Sequence, residues 1–204
     1  MQQSEYINSA YFEDEAIKTL QKHFFEYDVL PSFSMVNFLK GEFAKKLFEE
    51  VAEANYVRER NPIKYNLLKA RMTPRLRGFL KSIEFKDLIG EITKEHIIDV
   101  KGQILKLGWK DYTIMHEETQ RGDYLEFCLD LTPNWKQECG GIVTYYKPPD
   151  SYIFLPFGFG TLSIIHRPYK CNKFIKYVNN KVRELPLNQN RYLVVGRLVR
   201  ENER

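Results

Sequence analysis

Only four side chains in this 204-residue chain are imidazoles: His23, His96, His116 and His166. His23 and His96 fall in stretches of helical, amphipathic spacing, where a surface or hydrogen-bonded core histidine is expected. His116 differs. It closes a run that reads as a strand, and Glu117 and Glu118 follow it. A histidine and a carboxylate two residues apart, leaving a strand, can point at one cation. Imidazole plus carboxylate is a donor pair suited to a divalent metal such as iron. The bare H-x-E spacing is weak and occurs often by chance. The helical zinc pattern H-E-x-x-H is absent, because Glu118, Thr119 and Gln120 follow His116-Glu117.

Other chemistries lack their residues. There is no G-x-S-x-G for a serine hydrolase and no cysteine in a known nucleophile context. Cys128, Cys139 and Cys171 include no C-x-x-C, and so low and odd a count suits a reducing cytoplasm. Gly158-Phe159-Gly160 precedes a strand pattern rather than a helix, so it is no dinucleotide turn.

The elements that must position His116 divide at about residue 98. Before it the pattern is mainly helical. Asp14 to Phe25 places Ile17, Leu20 and Phe24 on one face, and Glu42 to Asn55 places Phe43, Leu47 and Val51 on another. Leu80 to Ile97 reads as a further single helix. Residues 30–39 read as a short extended stretch, with Phe33 and Met35 on one side and Ser34, Val36 and Phe38 on the other. Residues 56–76 hold six bases among tyrosines and leucines. They are expected as a solvated irregular segment or, more sharply, as a basic lip over a groove. After residue 98, eight short runs read as strands: 103–107, 112–116, 124–131, 141–146, 151–154, 161–166, 173–178 and 191–199. Helices first and strands later argue for an α+β chain whose helices back an antiparallel sandwich, jelly roll or barrel. A single domain is expected over 1–204, with residues 1–97 as support and 98–200 as core.

The order His116-Glu117-Glu118, then Leu129-Asp130-Leu131-Thr132 with Trp135, then Gly140-Gly141, and later Asn190-Arg191-Tyr192, resembles the 2-oxoglutarate and iron(II)-dependent oxygenases of the prolyl-hydroxylase type. The resemblance spans about residues 30–200 and is strongest from Tyr112 to Tyr146. It implies a double-stranded β-helix (jelly roll) with N-terminal support helices packed on one sheet. It implies Fe(II) and 2-oxoglutarate as cofactors, and hydroxylation of a prolyl or other amino-acid C–H bond. It assigns His116 and Glu118 as metal ligands, Glu118 being one methylene longer than the usual Asp. Arg191 matches the arginine that holds the far carboxylate of 2-oxoglutarate. Tyr112 is a lesser cofactor-site candidate, four residues before His116 and so on the same strand face.

Three positions depart from the family pattern, one of them Arg197, where the last strand commonly carries an aromatic near its end. The distal histidine position falls on Lys173, and a protonated ammonium cannot ligate iron. His166 lies on the wrong side of the intervening turn. Asp130 falls where some relatives place a tyrosine on 2-oxoglutarate, and a carboxylate there repels that dianion. Lys173 is therefore expected to pair with Glu118, and Asp130 with Arg191, which would satisfy the pocket without cofactors. The alternatives are an impaired or altered dioxygenase and a catalytically inactive binding or scaffold protein of the same fold.

Composition limits the partners. Lys and Arg number 31 against 27 Asp and Glu, a net charge of +4 that is too small to imply nucleic acid, so nucleic acid is not expected as a partner. No apolar run reaches the roughly 20 residues of a membrane span, and the first residues show no secretory signal, so a cytoplasmic location is expected. A protein or amino-acid substrate, or a protein partner, is expected, with the chain a monomer or homodimer.

Overall fold

The computed structural model describes residues 4–26, 30–114, 123–185 and 189–203. Four helices form where the apolar spacing requires them: α1 Asp14–Glu26, α2 Gly41–Ala52, α3 Pro74–Leu80 and α4 Ile83–Thr93. The stretch 80–97, read as one helix, is instead the end of α3, all of α4 and the start of a strand. The break has a local cause. Ser82 leaves helical geometry and its hydroxyl accepts from the Phe85 N–H at 3.2 Å, which caps a new helix. Lys94, in the left-handed region at φ 58°, ends it.

Among the described residues eleven strands form one antiparallel sheet, ten of them in a continuous path. In chain order they are β1 Ser32–Met35, β2 Val57–Asn61, β3 Tyr65–Arg71, β4 Ile97–Leu107, β5 Tyr112–Thr113, β6 Tyr124–Asp130, β7 Val143–Lys147, β8 Ser151–Phe154, β9 Thr161–Arg167, β10 Asn172–Ile175 and β11 Arg191–Arg200. In space the order is β1-β9-β6-β11-β4-β3-β5-β10-β7-β8, with β2 on β3. The first six make a larger sheet and the last four a smaller one. β3 belongs to both: Leu68 to Arg71 pair with β4, whereas Tyr65 and Asn66 pair with β5. The result is a jelly-roll-like fold.

Two apolar layers follow from strand alternation. Leu125, Phe127 and Leu129 of β6 face the helices and pack with Leu20, Phe24, Leu47, Phe85 and Ile89. Cys128 of β6, Leu193 and Val195 of β11, and Val143, Tyr145 and Ile175 of the smaller sheet fill the inside of the roll.

Two further expectations change. Residues 56–76 are not irregular: β2 and β3 form a hairpin laid against β4. Its run of charges hid it, because β2 is an edge strand with both faces largely in water, where alternation has no apolar side to show. Phe38 does not follow Val36 outward. Asn37 takes a positive φ of 53°, which turns the chain and buries the Phe38 ring completely.

Candidate functional site

The interior-facing positions of β6 are Glu126, Cys128 and Asp130, spaced by two so that all three point at the smaller sheet. Each carboxylate meets a cation there.

At one end, Asp130 lies 3.0 Å from Arg191 Nη2, with both side chains almost wholly buried. Arg191 opens β11, and its Nη1 also donates to the Gly141 carbonyl. Asp130 accepts further N–H bonds from Thr132 at 2.9 Å and Gly158 at 3.3 Å. Gly141 is needed for this approach. It sits at φ +71°, and a Cβ there would lie 3.3 Å from Arg191 Cδ and 3.5 Å from the Trp135 ring. Trp135 in turn donates from Nε1 to the Gly140 carbonyl at 3.0 Å. Both terminal nitrogens of Arg191 are thereby committed to groups of its own chain, while its buried Nε has no hydrogen-bond partner.

Farther along β6, Glu126 gathers three partners. Arg167 of β9 reaches its Oε1 at 2.9 Å, and Lys173 of β10 and the Tyr145 hydroxyl of β7 reach its Oε2 at 2.9 and 2.8 Å. Burial pushes this carboxyl up, but the charges of Lys173 and Arg167 and the hydrogen bonds from Lys173 and Tyr145 outweigh it and hold its pKa at about 2. Burial and the neighbouring carboxylate raise the Tyr145 phenol well above its ordinary value. Cys128, between the two ion pairs, is pushed up to about 12 by burial and by Asp130, so it is a space-filling thiol and not a nucleophile.

The sequence candidates thus separate. His116 and Glu118 lie outside the described residues. Lys173 sits inside the roll, but the partner the structure gives it is Glu126, where the sequence suggested Glu118. His166 is on β9 between Ile165 and Arg167, so alternation turns it to the opposite side from the Arg167–Glu126 pair, away from the interior. Tyr112 joins neither pair. Its hydroxyl donates to the Pro62 carbonyl at 3.0 Å and its ring lies 6.4 Å from that of Tyr177. Sequence reading missed Glu126, Arg167 and Tyr145. The signal was present in β6 itself, where Glu126 and Asp130 alternate with leucine and phenylalanine in a strand too apolar to be solvated.

Among the described residues no three His, Cys, Asp or Glu side chains group to hold a metal ion. At Lys173 and Arg191, which the resemblance sets at the distal ligand and at the 2-oxoglutarate arginine, the chain supplies its own counter-charges. Lys173 presents an ammonium held by a carboxylate of low pKa, and Arg191 presents a guanidinium already neutralised by Asp130.

No family model matches the chain, and no curated protein matches it. Solved structures do. A prolyl hydroxylase from Trichoplax adhaerens, solved with a hypoxia inducible factor oxygen degradation domain peptide, matches with TM-score 0.68 at 14% identity, covering 94% of this chain and 96% of its own. A Pseudomonas putida prolyl-4-hydroxylase matches with TM-score 0.68 at 12% identity, over 90% and 100% of the two chains. A Burkholderia pseudomallei oxidoreductase of the 2OG-Fe(II) oxygenase family matches with TM-score 0.68 at 9% identity, over 91% of each chain. The fold is prolyl-hydroxylase-like. In this oxygenase fold, identities of 9–14% establish architecture and leave the activity to be argued from the site. No described helix is long and apolar enough to cross a membrane.

Proposed function

We propose that this chain is a double-stranded β-helix protein in which internal ion pairs take the places of iron and 2-oxoglutarate, and that it works by binding a protein partner. The observation that carries this reading is the Asp130–Arg191 pair, buried to within a few per cent, at the arginine a cosubstrate would need. A dicarboxylate would have to displace Asp130 into a buried site without a counter-charge, which costs several kcal/mol. The Lys173–Glu126 pair supports the same reading at the distal ligand position. A peptide-bound prolyl hydroxylase among the structural neighbours supports a protein as partner.

The second reading, an altered dioxygenase, rests on His116, Glu118 and the shared fold. Anaerobic calorimetry with iron(II) and 2-oxoglutarate separates the two. The proposal expects no heat of binding from either ligand in a folded protein. Tight binding that His116→Ala abolishes would establish the oxygenase reading instead.

A further inference from the structure

A lysine breaks the apolar row of β4 that faces the helices. Val100 and Ile104 of that row pack in the helix-side core, and the same alternation carries Lys106 to that side. Its neighbours across the sheet are Leu68 of β3 and Tyr192 of β11. Two rings hold it. Lys106 Nζ lies 5.1 Å from the Tyr56 centroid and 5.5 Å from that of Tyr192, within the range of cation–π attraction.

Lys106 lines a cleft of about 530 Å³ with Leu68, Gly108, Trp109, Val182 and Arg183. Arg183 comes from the short 3-10 helix Asn180–Glu184, and its Cζ lies 3.6 Å from the Trp109 centroid. At that distance the guanidinium stacks on the indole, which leaves the N–H donors in its own plane unspent. Lys110 Nζ adds positive charge 4.1 Å from the same ring. No Asp or Glu lines the cleft, and Glu184, next to Arg183, is not on its wall. The acid of the adjoining turn, Asp111, is already committed. Its carboxylate accepts from the Gly108 N–H at 2.8 Å, from Asn66 at 3.0 Å and from Arg58. Lys106 and Arg183 therefore differ from Lys173 and Arg191, whose charges Glu126 and Asp130 neutralise. Aromatic rings position these two cations and leave both their charge and their donors for a ligand.

We propose that this cleft binds a small organic phosphate monoester, with Lys106 and Arg183 on the phosphoryl oxygens and the organic part against Leu68 and Val182. Two cations match a dianion, whereas a carboxylate would leave one charge unanswered. Three phosphoryl oxygens accept the arginine fork and the ammonium together. The volume falls within the roughly 300–1,000 Å³ of small-molecule sites. The cleft shares no residue with the two interior ion pairs, so this inference and the loss of cofactors stand or fall separately.

Calorimetry with phenyl phosphate, titrated into the full chain at pH 7.5, tests it. Saturable one-to-one binding is expected, about ten-fold or more tighter than that of benzoate, which offers the same ring with a single charge. Lys106→Met keeps an unbranched stem beside Tyr56 and Tyr192 but removes the ammonium, and Arg183→Gln removes the fork. Each is expected to weaken binding about ten-fold while keeping the wild-type circular-dichroism spectrum. Lys45→Ala, on the exposed side of α2, is expected to leave binding unchanged. Absence of binding by folded wild type overturns the proposal, and so does binding that both cleft variants keep. Equally tight benzoate overturns the choice of a dianion. A phosphoserine hexapeptide that binds more tightly than phenyl phosphate overturns the small-molecule ligand and assigns the cleft to a phosphorylated protein.

Discussion

Glu126 neutralises two cations that the fold has taken out of water, and this sets what each substitution around it does. Replacing it by alanine leaves Arg167 and Lys173 without their shared carboxylate, whereas Lys173→Ala leaves the Arg167 bond in place. Glu126→Ala is therefore expected to cost about 3–5 kcal/mol in urea unfolding at pH 7, and Lys173→Ala distinctly less. The same carboxylate gives an acid dependence. Its folded pKa of about 2 lies below the usual carboxylate value, so its stabilisation is complete above about pH 5 and fades as pH falls towards 2. A urea midpoint that declines through that window in wild type and stays flatter in Glu126→Gln is the expected result. At the other pair, Asp130→Ala strips Arg191 of its charged partner. That variant is expected to regain melting temperature when 2-oxoglutarate is added, while wild type gains nothing. Equal shifts in both would show that the dicarboxylate binds elsewhere.

At the scale of elements, the contact between β4 and β11 depends on two glycines that face each other. A Cβ on Gly196 would lie 2.0 Å from the Lys101 carbonyl oxygen and 2.8 Å from the Phe127 ring, and one on Gly102 would lie 2.9 Å from the Val195 carbonyl oxygen. The Phe127 ring closes over both. Gly196→Ala is expected to destabilise by more than about 2 kcal/mol, measured by thermal unfolding, since backbone and not a flexible side chain must give way. This scale also shows what could be read in advance. α1 and α2 were legible because each has one buried stripe, and β8 because its four residues stand between turn signals. The β2–β3 hairpin was not, since Arg58, Glu59 and Arg60 carry no period. The pairing of Asp130 with Arg191 was legible through the family resemblance, which sets both residues at one site although they lie 61 positions apart. Glu126 as the partner of Lys173 was not, because it depends on how two sheets face each other across the roll. Nothing in the spacing of residues 126 and 173 encodes that.

For the whole molecule, the path of described strands ends at β1 on one side and β8 on the other, and among them β3 alone runs from the larger sheet into the smaller. Glu126 bridges the same two sheets from inside, tying β6 to Tyr145 of β7 and Lys173 of β10. Hydrogen exchange at pH 3 is accordingly expected to rise first in β7 and β8, ahead of β4 and β11, which lie mid-sheet with a strand on both sides. Uniform exchange across both sheets would contradict it.

The placement of β3 also decides what an acid-treated molecule looks like. The strand acts as the spine of a book whose covers are the two sheets, and protonating Glu126 undoes the clasp. The helices are bound to only one cover, so they stay put while the other swings. Such a half-open form keeps its helical ellipticity, loses the fixed surroundings of Tyr145, and takes up an apolar dye between the leaves.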